Sequence, residues 1–239
     1  MEFFYQNKIA GELKDWQRKM SRSPNITDRL SKSMQDKINS YIPEKVHRVI
    51  TKTIKQMVRA VLFGSKYTVP KVNLFSSLFE KETAILQRIK NYKKAAAVEG
   101  GLTGAGGILL GFVDFPVLLA IKIKLLYDIA ALYGFDVKDY KERLYILYIF
   151  QLAFSSQQHR RQVYEEVKDW KNISHQLPPD IQDFDWRHFQ QEYRDHIDLA
   201  KMAQLIPGIG AVVGVVVNYR MLKKLGSTAM NAYRMRLLE

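Results

Sequence analysis
The chain has 239 residues, 47% of them apolar and 26% charged, with a formal net charge of +13 and a mean hydropathy of −0.23. That length allows one domain, or at most two, with a core of its own, and the absence of cysteine excludes disulfides, thiolate metal sites and a cysteine nucleophile and fits a reducing compartment. The charge is lopsided, with 20 Lys and Arg against 8 Asp and Glu in residues 1–98 and 17 against 16 in residues 99–239, which points to an anionic partner for the N-terminal part.

Helix formers dominate and no period-2 alternation persists, so the expectation is an all-α multi-helix bundle. Residues 8–20 and 27–39 read as short helices around a turn at 21–25. Pro43 and Glu44 open a stronger helix that ends near Gly64. On a helical wheel Val46, Ile50, Ile54, Met57 and Val61 fall together, while Lys45, Arg48, Lys52, Lys55 and Arg59 share an opposing arc of about 80°. Such a helix either lies on a membrane surface or packs on a core with a solvated basic face. The near-absence of acid on its polar face favours an anionic membrane surface, with these five as the lipid- or anion-binding residues. Nucleic acid is a poorer partner, because no recognition helix and no interleaved aromatic pattern accompanies the charge.

A Ser76/Ser77 cap starts the next helix, which runs through Ala95–Ala97 into a glycine-rich apolar stretch from Glu99 to Ile121. A second such stretch spans Ile206 to Tyr219. Glycine costs about 0.5–1 kcal/mol inside a helix, so the spacing of Gly100/Gly104, Gly107/Gly111 and Gly210/Gly214 calls for close helix approach. With Pro207, these residues outline a central apolar hairpin, either packed within a soluble bundle or able to lie on or enter lipid. Gly101–Ile121 has the length of a membrane span, but Asp114 and Pro116 interrupt it and Lys122 and Lys124 follow. Asp114 before Pro116 reads as the N-cap of a helix that Gly134 stops after Tyr133. A buried helix over 139–158 and another over 160–174 come next, then an acidic loop from Pro178 to Asp185, a helix over 186–203 and one or two final helices.

Chemistry is sparse. The P-loop, His-Glu-x-x-His and Gly-x-Ser-x-Gly patterns are all missing. His188, Glu192 and His196 read as a polar helix surface, and Asp180, Asp183 and Asp185 lack the alternation and glycine of an EF-hand. Glu99 and Asp114 flank the glycine stretch, where burial could raise a carboxylate pKa. Buried carboxylates need partners, and a paired structural carboxylate is the preferred reading. No catalytic residue, cofactor or metal is assigned. The alternative is a hydrolase acting on lipid or peptide through Glu99 or Asp114.

Glu99-Gly100, Thr103-Gly104, Gly106-Gly107, Asp114 with Pro116 and Tyr133-Gly134-Phe135-Asp136 occur in one order with Glu142-Arg143, Ile206-Pro207, Gly210, Gly214, Asn218-Tyr219 and Tyr233-Arg234-Met235-Arg236-Leu237. In this combination the chain resembles the EcsC family over about residues 75–239, and its length and basic N-terminal part resemble the bacillus-type member. Residues 1–239 read as a single helical domain, with 1–74 as basic helices that carry no family motif. The resemblance implies a protein of unknown biochemical role that accompanies the ATPase and membrane subunits of an ABC transporter linked to exoprotein production, secretion and competence. Its shared motif set offers Arg143, Asn218, Arg234 and Arg236 as the partners of Glu99 and Asp114. Without a P-loop the chain is not the ATPase, and it lacks the spans of a permease. The N-terminal residues do not form a signal peptide. The expectation is a non-catalytic cytoplasmic protein held peripherally at the membrane, beside transporter subunits.

Overall fold
Every element of the described chain is a helix or a turn, apart from an isolated antiparallel bridge between Ser155 and Ile197. The computed structural model describes residues 2–23, 44–63, 77–103, 107–156, 159–185, 187–189, 192, 197 and 214–238, with side chains described except at 47, 96–103, 107–114 and 214–217. The helices are α1 (Glu2–Ser21), α2 (Glu44–Phe63), α3 (Leu78–Thr103), α4 (Gly107–Tyr133), α5 (Tyr140–Phe154), α6 (Arg160–Lys168), α7 (Trp170–Gln176) and α8 (Gly214–Leu238), with a 3₁₀ turn at Ile181–Asp183.

Local chemistry sets several boundaries. The Ser77 hydroxyl accepts from the Glu80 amide at 3.2 Å at the start of α3, and Asp139 accepts from the Lys141 amide at 2.9 Å at the start of α5. Helix α4 stops at Gly134, whose φ of +100° suits only glycine comfortably. The Gly134 and Phe135 amides bond back to the Ala131 and Ala130 carbonyls at 2.9 and 3.0 Å, which closes the last turn.

Helix α8 organises the rest by packing against α1, α3, α4, α5 and α6. Its tightest approach is to α3: a Cβ placed on Gly226 would lie 2.6 Å from Ile89 Cδ1 and 2.8 Å from its Cγ1. Helix α2 packs on α4 and α5. Leu13 of α1 and Val46, Ile50 and Ile54 of α2 belong to the same core cluster as the helices that follow them.

Three sequence expectations are corrected. Asp114 is not an N-cap: α4 begins at Gly107 and continues past it with Pro116 inside the helix. Proline removes a single amide donor there, and the packing of the apolar residues beyond it, Leu118, Leu119 and Ile123, holds the helix together. The apolar run 101–121 is accordingly shared between the end of α3 and the start of α4. The helix expected over 160–174 is two, broken at Asp169, and the helix expected over 186–203 does not reach Ile197, which is paired with Ser155. The helix expected over 27–39 lies outside the described residues. Among the described residues no helix is long and apolar enough to cross a membrane.

Candidate functional site
Helix α2 separates its two faces cleanly. Val46, Ile50, Ile54, Val58, Val61 and Leu62 are essentially inaccessible and Met57 nearly so, while Lys45, Arg48, Lys52, Lys55 and Arg59 are all exposed. Beyond Glu44 the helix contains no acid. Each buried aliphatic contributes roughly 1.5–3 kcal/mol, and lifting this face into lipid would uncover the matching surfaces of α4 and α5. The apolar face is therefore committed to the core, and only the basic face is available to a partner.

The second notable arrangement is buried and centres on the last turns of α8. Glu82 of α3, inaccessible to solvent, accepts from Arg234 Nε at 2.8 Å and Nη2 at 2.5 Å, from the Tyr5 hydroxyl at 2.6 Å and from the Tyr133 hydroxyl at 2.9 Å. Arg234 Nη1 also reaches Glu12 of α1 at 3.2 Å and Asn231 at 3.3 Å. Two residues further on, Arg236 donates to Glu142 of α5 at 2.7 Å, and the Tyr233 hydroxyl donates to the same carboxylate at 2.6 Å. The Arg236 guanidinium lies 4.0 Å from the Phe135 ring centre and 4.5 Å from that of Tyr145, a cation–π arrangement. Tyr233 packs between the two centres, tilted against Tyr133 at 5.4 Å and edge-on to Tyr145 at 5.5 Å.

The electrostatics are those of a structural network. Burial first, then the neighbouring carboxylates, pushes the Tyr133 and Tyr233 hydroxyls well above their usual range. Burial works against the charge on Arg234, but Glu82 lifts it above its ordinary value. Burial raises the Glu142 carboxyl, against the pull of Arg236 and Tyr233. With four hydrogen bonds, Glu82 has its lone-pair sites filled. A smaller pair sits on α4, where Asp128 accepts from Lys124 and from the Tyr92 hydroxyl.

The remaining sequence candidates are scattered. Arg234 is buried and Asn218 is buried on α8, while Arg143 and Arg236 are partly covered. The acids that hold Arg234 and Arg236 are Glu82, Glu12 and Glu142, none of which the sequence reading paired with them. The side chains of Glu99 and Asp114 are outside the described residues, as are Gly104, Pro207 and Gly210 altogether; Gly100 lies near the end of α3, Gly107 and Gly111 in the first turns of α4, and Gly214 at the start of α8. His188 meets Glu192 at 3.4 Å on the surface, and His196 is outside the described set. Asp180 and Asp185 cap the Gln182 and His188 amides. Glu82 did leave a signal, since it falls in register with Ile85 and Ile89 on the buried face of α3.

An all-helical protein whose last helix is riveted to three others by one buried and one partly covered arginine is the class these features define. The chain belongs to the EcsC protein family, whose model matches residues 7–238 and so includes the N-terminal helices. It is 44% identical to Protein EcsC of Bacillus subtilis (strain 168), over 97% of this chain and 95% of that protein. It is 33% identical to the uncharacterized protein YdbA of the same organism, over 62% of this chain and 54% of that protein. No solved structure matches it.

Proposed function
We propose that this EcsC-family protein is a non-catalytic accessory that docks by charge on the anionic cytoplasmic face of the membrane, beside the subunits of an ABC transporter. The observation that carries the reading is the α2 surface: five exposed cations, no acid beyond its first residue, and an apolar face already buried. The transporter as partner comes from the family resemblance alone. Anionic lipid attracts each nearby Lys or Arg by about 1 kcal/mol, so five together hold a protein reversibly. Because the buried apolar face of α2 stays on the core, the attachment yields to salt as the Debye length shrinks from about 10 Å at 0.1 M to 3 Å at 1 M.

Fractionation of cells tests this. Recovery with membranes, release by 1 M salt, and loss of recovery on replacing Lys45, Arg48, Lys52, Lys55 and Arg59 by Glu are the expected results. Unchanged recovery of that variant removes α2 as the contact. Release by detergent alone would mean that another segment inserts.

A further inference from the structure
Helices α1, α3 and α8 enclose a groove of about 800 Å³ that borders the Glu82–Arg234 network on one side and is otherwise lined by residues outside it. That volume suits a drug-sized or lipid-sized ligand. Its lining is divided. Ile9, Ile89 and Met230 are buried and apolar, and Trp16 lies among them. Lys19, Lys90, Lys93 and Lys223 line it too, and none of the four makes an ion pair with a carboxylate among the described residues. Lys93 instead stands 4.0 Å from the ring centre of Tyr219. Tyr219 and Leu86, both lining residues, are 45% and 55% exposed, which puts large apolar side chains in the open beside the lysines. Arg234 also contributes to the wall, where its Nη1 is engaged by the carboxylate of Glu12. The two acids of the lining are already occupied: Glu12 on Arg234 and near Lys8, and Asp15 on Arg18 at 3.0 Å.

We propose that this groove binds one anionic phospholipid, its phosphate among Lys90, Lys93 and Lys223 and the first part of an acyl chain along Ile9, Trp16, Ile89 and Met230. A small inorganic anion would leave the apolar lining empty, and a neutral apolar ligand would leave those four lysines of the lining without a counter-charge. An anionic amphiphile satisfies both halves. The site is independent of the α2 surface: α2 packs on α4 and α5, and the groove lies among α1, α3 and α8.

Calorimetric titration with dihexanoyl phosphatidylglycerol, kept below its micelle concentration, tests the inference on the whole chain, with dihexanoyl phosphatidylcholine and glycerol phosphate as comparisons. The phosphatidylglycerol should bind one to one, and about tenfold or more tighter than either comparison. Replacing Lys90, Lys93 and Lys223 by Gln should weaken it by about tenfold or more, whereas the five α2 charge reversals should leave it unchanged. Lys90 and Lys223 are exposed and Lys93 is half-buried, so circular dichroism and the melting temperature should report an intact fold. Equal binding of phosphatidylcholine, equal binding of glycerol phosphate, or no response to the lysine changes would each overturn the proposal. Absence of phosphatidylglycerol binding by the unaltered chain, with membrane recovery intact, would sink this site and leave the α2 reading standing.

Discussion
Two regions of this protein use the same cations in opposite ways. Along α2, Arg48 and Arg59 stand exposed among lysines; at the end of α8, Arg234 and Arg236 are drawn inward and held by Glu82, Glu12 and Glu142. A guanidinium that has lost its water needs a full set of acceptors, so the α8 arginines are bound into the architecture. A guanidinium that keeps its water is free to exchange it for an anion. The contrast teaches where to look for function: in a chain of net charge +13, the informative cations are those the fold has not consumed.

The sharpest break in that comparison is removal of one buried arginine. Arg234→Ala leaves Glu82 charged and inaccessible, and should cost about 3–5 kcal/mol in urea unfolding. Charge reversal of the five α2 residues should move stability far less, within about 0.5 kcal/mol per site. A similar cost for both would erase the distinction. Next in size, Gly226→Ala should cost about 1–3 kcal/mol, because the branched Ile89 sits against that backbone and has little room to yield. In an Ile89→Ala background the same substitution should cost less, and a double-mutant cycle reads the difference.

The smallest effect concerns Glu142. Its carboxyl is raised from an ordinary value of 4.5, chiefly by burial, so the folded chain holds that proton more tightly than the unfolded one. The stability the group contributes is then fully present below pH 4.5 and is lost as pH rises through the folded value. Unfolding measured across pH should show the wild type losing ground to Glu142→Gln on that rise. A wild type that gains instead would mean that Arg236 outweighs burial.

Much of the fold was legible because local rules and packing agreed. Helix α2 falls within a residue of its expected limits, Gly134 stops α4, and Ser77 starts α3. Asp114 and Pro116 misled because a good cap-and-proline pair is only a local preference, which the longer apolar run of α4 overrides. The acidic partners of α8 were hidden for a different reason. Glu82 and Arg234 are 152 positions apart, and no spacing rule joins residues that only the tertiary fold brings together. Gly226 was passed over as one glycine in a helix, although such a glycine often marks a close approach.

The position of α8 in the chain has a consequence for synthesis. Every helix it touches precedes it, so on the ribosome α3 and α5 emerge with Glu82 and Glu142 lacking their cations. The glutamates stay hydrated, and the surfaces that will enclose them stay apart, until residues 234 and 236 leave the exit tunnel. Closure of the bundle around these two acids therefore waits for α8, and a nascent polypeptide that stalls before it should remain open to proteases and chaperones.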